Sequence, residues 1–309
     1  MEAAFSTTEL RDKWRELPAT RQDRMFAEDL MLLDDEALLE YWERCRKEMS
    51  IPQVKGWYYS YYKEMFKGKR IADIGSGLGH DGIFFAQHGA QVTFADINKE
   101  SLALLERICK LKSIDAEYYY IDDFENYSFA RPFDAIMCIG SLINAPFEFT
   151  QKQIGGLMHH LLSGGKVLFL GYPYERFLAS GAKDGTEFGK TTDGERTPWM
   201  EWYDAVKITQ LFGSEFILNW GINYGKDNIE FNFFELEKKK EKTQSSFCQS
   251  ISRNMPSTLI PWVSVDVSPE EKQKAKPADY LQPPKRKVTV RKMIKWLLPY
   301  GIVRVVQKS

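Results

Sequence analysis

The residues best suited to chemistry begin in the stretch DIGSGLG, residues 73–79, where three alternate glycines follow an apolar run. Glycine lets a backbone turn sharply and approach a ligand closely. When such a turn leads from a strand into a helix, the first N–H groups of the helix face the ligand. Gly75, Gly77 and Gly79 therefore predict a turn that binds a nucleotide-like ligand.

Two acidic positions follow in an order that fits adenosine. Asp96 lies 21 residues after Gly75, at the end of the next apolar run, where a carboxylate can accept the hydroxyls of a ribose. The stretch IDDF then offers Asp122 or Asp123 to an adenine amino group and Phe124 to the adenine ring. The three elements together predict a ligand that contains adenosine.

A dinucleotide fits this stretch less well. The dinucleotide fingerprint G-x-G-x-x-G needs glycine at the position of His80 and an apolar approach to the first glycine, where this chain has Asp73. The sequence therefore disfavours NAD and FAD.

Three residues are candidates for the chemical step. His80 follows the glycine turn, at the edge of the predicted sheet where ligands bind, and an imidazole can serve as a base. It could instead cap the helix or face the cofactor. Glu201 and Tyr203 lie among tryptophans in TPWMEWYD, residues 197–204, a composition suited to stacking a sugar and binding its hydroxyls. The alternative is a lid helix that packs its tryptophans on the core.

The elements that must position these residues alternate from Arg70 onward. Apolar runs of strand length alternate with amphipathic stretches of helical period, and this pattern predicts an α/β fold with a Rossmann-like, doubly wound and mostly parallel sheet of seven strands. The last two strands, within 214–222 and 229–237, should form an antiparallel hairpin at the edge of the sheet.

The same pattern divides the chain into segments. The expected segments are an N-terminal helical region at 1–55, a core at 56–237 with a lid insertion at 172–215, a polar linker at 238–284 and a basic amphipathic helix at 285–309. The insertion is too long for an ordinary connection, and such loops usually carry function.

The motif Asp73-Ile-Gly-Ser-Gly-Leu-Gly, Asp96 and Asp122-Asp123-Phe124 resemble class I S-adenosylmethionine-dependent methyltransferases over about residues 55–237. The resemblance implies that S-adenosylmethionine is the cofactor. The cofactor contacts that it implies, together with neighbouring candidates, are Trp57, Asp73, Gly75, Ser76, Gly77, Asp81, Asp96, Ile97, Asp122, Asp123, Phe124, Ile139 and Gly140. No metal is expected, since the acids by which catechol-type members hold Mg²⁺ are replaced here by Cys138-Ile139-Gly140-Ser141.

The stretches GWYYSYY, IGSLINAPFE and TPWMEWYD are similar to bacterial methyltransferases from surface-polysaccharide gene clusters. This likeness implies a carbohydrate hydroxyl as acceptor, in a polysaccharide or its lipid-linked precursor, for example a terminal Kdo of an O antigen. The chain departs from the subgroup at Ile143 and Asn144, where histidines are expected. Methylation of a small metabolite on nitrogen or oxygen, and a cofactor-binding partner protein without turnover, are the alternatives.

The bulk composition and the C-terminal end indicate where in the cell the protein acts. The four cysteines are far apart, and neither a signal peptide nor a membrane-spanning run is apparent, so a cytoplasmic protein is expected. Residues 285–309 hold eight Lys and Arg and no acid, which leaves a net charge of -9 on the rest. The basic end fits an anionic surface at the inner membrane, or docking on its own domain or a partner subunit. The acidic remainder argues against nucleic acid.

Overall fold

The computed structural model describes residues 5–18, 24–224, 231–240 and 260–261. The strands are β1 (Glu16–Pro18), β2 (Arg24–Phe26), β3 (Arg70–Ile74), β4 (Gln91–Asp96), β5 (Ala116–Tyr120), β6 (Phe133–Ile139), β7 (Leu161–Gly171), β8 (Phe216–Tyr224), β9 (Phe231–Lys238) and β10 (Ile260–Pro261). The helices are α1 (Thr7–Lys13), α2 (Ala27–Met31), α3 (Asp35–Met49), α4 (Trp57–Phe66), α5 (His80–Gln87), α6 (Lys99–Leu111), α7 (Phe147–Met158), α8 (Tyr174–Ser180), α9 (Gly185–Asp193) and α10 (Ala205–Phe212). A π-helical turn, Pro52–Gly56, precedes α4.

The central sheet has the strand order β10-β8-β9-β7-β6-β3-β4-β5. Neighbouring strands from β7 to β5 pair in parallel, whereas β9 is antiparallel to both β7 and β8. This arrangement confirms the predicted Rossmann-like sheet and its antiparallel hairpin. The two residues of β10 add an eighth strand beside β8, within the segment that the sequence assigned to a linker.

Strand β3 shows how the sequence builds the layers. All five of its residues are buried, and successive side chains point to opposite faces of a sheet. Ile71 packs in the hydrophobic cluster on one face, while Ala72 and Ile74 pack in the cluster on the other. Because helices cover both faces, the carboxyl ends of β3, β4 and β6 are left as the place where side chains can meet a ligand.

The flanking segments add structure that the periodicity did not indicate. The N-terminal region contains α1, α2 and α3, but also an antiparallel pair of short strands, β1 and β2. The insertion folds into α8, α9 and α10. The basic helix predicted for 285–309, and most of the predicted linker, lie outside the described residues. In the ranges that the structure describes, no helix has the length and apolar character needed to cross a membrane.

Candidate active site

The glycine turn joins β3 to α5 with a backbone that glycine adopts most easily. Gly75, Gly77 and Gly79 have φ values of +68°, +51° and +67°, a region that costs other residues about 1 to 2 kcal/mol. A Cβ atom on Gly75 would lie 2.4 Å from the Cβ of Ser141. On Gly77 the nearest atom would be a methyl of Leu17 at 4.0 Å. Gly75 is thus required for packing, and Gly77 leaves its backbone open to a ligand.

Hydrogen bonds hold this turn against two strand ends. The Ser76 hydroxyl donates to the Asp73 carbonyl oxygen at 2.7 Å and accepts the Ala95 N–H at 3.2 Å. The Gly75 N–H donates to the Ala95 carbonyl oxygen at 2.7 Å. The Ser76 hydroxyl therefore serves the shape of the turn.

Asp96 ends β4 and faces the turn. Its carboxylate accepts the Gly77 N–H at 3.3 Å and the Asn98 N–H at 3.0 Å. Burial raises the pKa of Asp96, and the backbone hydrogen bonds lower it. Burial has the larger effect, so the pKa is about 6. A buried carboxylate in this position is ready to accept hydrogen bonds from ligand hydroxyls.

A cavity of about 460 Å³ opens at these strand ends, a size typical of small-molecule sites. Most of the predicted cofactor residues lie on its wall: Gly75, Ser76, Gly77, Asp81, Asp96, Ile97, Phe124, Ile139 and Gly140. His80 and Asn144 also line it. The structure thus brings the three sequence elements together at one cavity.

Two residues predicted to contact the cofactor lie elsewhere, which corrects their assignment. Trp57 packs edge-on against Trp220 and Phe233, with ring centroids 6.0 and 5.0 Å away, and does not line the cavity. The Asp73 carboxylate is buried behind the turn and accepts the Gly82 N–H at 3.1 Å. Burial, and then the neighbouring Asp81 carboxylate, raise the pKa of Asp73. Trp57 is partly buried and packs against the core, and Asp73 supports the start of α5.

Asp81 lines the cavity but is already engaged with protein groups. It forms an ion pair with the Lys55 ammonium at 2.6 Å and accepts hydrogen bonds from the hydroxyls of Tyr58 and Tyr59. Burial alone would raise the pKa of Asp81, but Lys55 and these hydrogen bonds hold it below its ordinary value. Lys55 lines the cavity as well. The sequence did not indicate this residue, since a single lysine before α4 carries no motif.

His80 is the first residue of α5 and is 6% exposed. Its ring lies 5.0 Å from the Trp42 ring, and its Nε2 atom is buried with no hydrogen-bond partner in the described part of the chain. Burial, and then the Lys55 ammonium, lower the pKa of His80 to about 4. The imidazole is therefore neutral near pH 7. The Trp42 indole N–H also donates to the Leu78 carbonyl oxygen at 2.8 Å, which ties α3 to the glycine turn.

The predicted adenine contacts divide between the cavity and the surface. Phe124 lines the cavity, but the Asp123 carboxylate accepts the N–H groups of Glu125 and Asn126, at 2.8 and 3.2 Å. The Asp122 side chain is 85% exposed. Neither carboxylate lines this cavity, although both line an adjoining pocket that shares Phe124 with it. The assignment of Asp122 or Asp123 to the adenine amino group stays a prediction.

Arg11, in α1, contacts the segment that follows β5. Its guanidinium donates to the Ile121 carbonyl oxygen at 2.9 Å and to the Tyr120 hydroxyl. It lies 4.9 Å from the centre of the Phe124 ring. An isolated arginine near the N-terminus gave no signal in the sequence, because its partners are more than a hundred residues away.

In the structure, Glu201 and Tyr203 lie away from the cavity. Glu201 is buried in an ion pair with Lys207 at 2.5 Å. Tyr203 is fully buried against Phe169, with ring centroids 5.0 Å apart. Neither lines the cavity. Their assignment as catalytic residues is corrected. The alternative of a lid helix does not hold for residues 197–204 either, since α10 begins only at Ala205.

The insertion reaches the cavity through other residues. Tyr172 and Arg176 line it, and so does Asp193 at the end of α9. Asp193 connects the insertion to the N-terminal region: its carboxylate pairs with Arg24 at 2.7 Å, and its carbonyl oxygen accepts the Lys13 ammonium at 2.8 Å. Two distant segments thus form one wall of the cavity.

The cysteines in the described ranges, Cys45, Cys109 and Cys138, are free and buried. Burial raises the pKa of the Cys109 thiol to about 11, so this side chain is not a thiolate near pH 7. Across the same ranges, no cluster of His, Cys, Asp and Glu is arranged to hold a metal ion.

Residues 71–165 match the model of a family described as a methyltransferase domain. The structure resembles magnesium protoporphyrin IX methyltransferase from Synechocystis PCC 6803 with bound SAH, with 15% identity over 76% of this chain and 96% of that chain and a TM-score of 0.50. It also resembles a protein from Pyrococcus horikoshii OT3, with 16% identity over 64% of this chain and 92% of that chain and a TM-score of 0.50. Among curated proteins, none is significantly similar in sequence.

Residues 71–165 are thus similar to a methyltransferase domain, and the cofactor that this likeness implies is S-adenosylmethionine. The solved structures show the shared fold and do not identify the acceptor.

Proposed function

We propose that this protein transfers the methyl group of S-adenosylmethionine to a hydroxyl of a carbohydrate, in a bacterial surface polysaccharide or its lipid-linked precursor. The observation that carries the proposal is a single cavity with two walls. The glycine turn and Asp96 form one wall, and Tyr172, Arg176 and Asp193 of the insertion contribute the other.

The first wall fits the cofactor. The open backbone at Gly77 and the buried Asp96 carboxylate suit the polar parts of the ligand, with Asp96 accepting the ribose hydroxyls. Ile97 and Phe124 offer apolar surface to adenine. Lys55, beside Asp81 on the cavity wall, offers a cation to the methionine carboxylate.

The cofactor supplies an activated methyl group, so the chain mainly has to orient the acceptor and exclude water. Holding two reacting groups in line can account for about 7 to 11 kcal/mol of a barrier. Contacts between the N-terminal region and α9, through Lys13, Arg24 and Asp193, enclose the cavity and favour such a fixed geometry.

His80 is the residue best placed to receive the hydroxyl proton. Its Nε2 atom is buried, unpartnered among the described residues, and belongs to a side chain on the cavity wall. With a pKa of about 4, the imidazole is always in its basic form near pH 7 but is a weak base. We therefore assign most of the acceleration to orientation and a smaller part to His80.

The second wall supports a sugar as the acceptor. Trp14, Tyr172 and Phe231 line the cavity with aromatic surface, and Asn144 and Thr192 lie there with them. Aromatic rings offer flat apolar surface to the C–H face of a sugar, and the polar groups suit its hydroxyls. An enclosed wall of this kind fits a terminal sugar better than one inside a polymer.

The test uses full-length protein, methyl-labelled S-adenosylmethionine and a panel of mono- and oligosaccharides. Mass spectrometry and NMR of the products should show a methyl group on a sugar oxygen. Methylation of nitrogen in a metabolite would contradict the sugar assignment. Cofactor binding without any methylated product would favour the non-enzymatic alternative.

The basic C-terminal segment supports a place at the membrane in this proposal. Eight cations without an acid in residues 285–309 would favour an anionic lipid surface. Removing these residues should abolish sedimentation with anionic vesicles while leaving SAH affinity unchanged. Equal sedimentation of the full-length and shortened proteins would contradict this role.

A further inference from the structure

Two arginines meet at the cavity wall formed by the insertion and the N-terminal region. Arg24, in β2, and Arg176, in α8, both line the cavity beside Tyr172 and Asp193. The proposed transfer of a methyl group to a hydroxyl uses neither guanidinium. The two arginines come from segments about 150 residues apart, and the methyl transfer does not explain why both lie at this wall.

The charges on the wall are not balanced at this place. Of the lining cations, Lys55 pairs with Asp81 and Arg24 pairs with Asp193. Arg176 has no carboxylate within 4.0 Å in the described part of the chain, and its guanidinium lies 4.4 Å from the centre of the Tyr172 ring. The ring holds the cation in place without neutralising it. Among the described cations on the wall, Arg176 is the one without a carboxylate partner.

Arg24 adds a second unsatisfied group. Its Nη2 atom donates to Asp193 at 2.7 Å, while its Nη1 atom is buried and has no partner among the described residues. A buried donor without a partner destabilises the folded protein. An oxygen bound in the cavity could remove this cost, and a guanidinium binds oxyanions with favourable geometry.

The Tyr172 hydroxyl lies close enough to Asp193, Arg176 and Arg24 for their charges to affect its pKa. Burial raises the pKa of Tyr172, and the Asp193 carboxylate raises it further, whereas the guanidinium groups of Arg176 and Arg24 lower it. All three charged side chains therefore act on the same hydroxyl. Two guanidinium groups and one carboxylate therefore lie around this hydroxyl in the described part of the chain.

We propose that Arg24 and Arg176 bind a carboxylate or phosphate oxygen of the acceptor, which makes the preferred substrate an acidic sugar. This assignment rests on the proposed function and narrows its substrate class. The methionine carboxylate of the cofactor is the other source of such an oxyanion. The cofactor wall is formed by the ends of β3, β4 and β6, whereas Arg176 follows β7, which favours the acceptor.

The test compares acceptors that differ in one group. Uronic acids and phosphorylated sugars are each paired with the neutral sugar of the same configuration, and kcat/KM is measured with wild-type protein, Arg176→Gln and Arg176→Lys. Wild-type protein should prefer the acidic member. Arg176→Gln should lower kcat/KM for that member by about 10- to 100-fold, and Arg176→Lys should recover part of the loss. Arg131→Gln, at an exposed ion pair with Glu117, is the matched control and should change nothing.

SAH affinity, measured by calorimetry on the same variants, separates the two sources of the oxyanion. It should change less than about threefold in Arg176→Gln. A tenfold loss would assign the arginine to the cofactor carboxylate and overturn the proposal. Equal kcat/KM for both members of every pair, or methylation of neutral members alone, would overturn the preference for acidic sugars. Either result would still be consistent with the proposed methylation of a sugar hydroxyl. Transfer to no sugar at all would remove the proposed function and this inference with it.

Discussion

The two walls of the cavity are built in different ways. On the cofactor wall, Gly75 and Asp96 each lie at the end of a strand, and 21 residues of chain separate them. On the acceptor wall, Arg24 and Asp193 form an ion pair at 2.7 Å although 169 residues separate them. Strand order places the first pair, whereas tertiary packing of a small hairpin against a helix places the second. The first wall is a property of the fold, and the second is a property of this chain.

The largest effect should follow from changing the turn on the cofactor wall. Gly75→Ala combines a positive φ with a Cβ atom 2.4 Å from Ser141. We expect the free energy of unfolding to fall by about 2 to 4 kcal/mol and SAH affinity to fall more than about tenfold. Denaturant unfolding and calorimetry measure the two effects.

Gly181→Ala is the matched control for this change. Gly181 has a φ of +70° at the end of α8, but a Cβ atom there would meet nothing within 4 Å. The strain alone should cost about 1 kcal/mol and leave SAH affinity unchanged. Equal losses of affinity in both variants would show that the turn has no special role.

The Asp96 carboxylate should lower the stability of the ligand-free protein while it strengthens cofactor binding. Its pKa is about 6 in the folded protein and 3.8 ordinarily, so the folded state holds the proton more tightly. Stability therefore falls as pH rises through about 4 to 6, and the full penalty, at most about 3 kcal/mol, is present above that window. Asp96→Asn should raise the Tm of the ligand-free protein at pH 8 and flatten its dependence on pH. A lower Tm at pH 8 with an unchanged slope would contradict the raised pKa.

His80 should affect turnover more than binding. His80→Ala should lower kcat by about 10- to 100-fold, less than a base with a matched pKa would contribute, and keep SAH affinity. Because the basic form persists down to a pKa of about 4, the His80-dependent part of kcat should be flat from pH 6 to 9 and lost as pH falls toward 4. His159→Ala, at an exposed histidine after α7, is the control. Full turnover in His80→Ala would remove the base.

The smallest effect on turnover should come from Tyr203 and Glu201, the two insertion residues that the structure moves from chemistry to packing. Tyr203→Phe should retain kcat within about twofold. Glu201→Gln should also retain kcat but lower the free energy of unfolding by about 1 to 3 kcal/mol, since it disrupts the buried pair with Lys207. Loss of turnover in a folded Tyr203→Phe protein would restore its catalytic role.

The contrast between the walls also explains what the sequence could predict. Strand and helix periods specified the sheet, and the spacing from Gly75 to Asp96 placed both at one edge, because parallel strands end on the same side. The motif could not choose between Asp122 and Asp123, because a motif does not say which way a loop carboxylate turns. The sequence did not indicate Arg24, Arg176 or Lys55 as site residues. A single cation forms no motif, and its role depends on partners such as Tyr172 that lie near it only in the folded chain.

The most direct test of the central claim, that this cavity binds the methyl donor through Asp96, is calorimetry with SAH at pH 8. Wild-type protein should bind one SAH per chain, and Asp96→Ala, which loses the ribose contacts, should bind at least about tenfold more weakly. No binding by the wild-type protein, or equal affinity in Asp96→Ala, would contradict it.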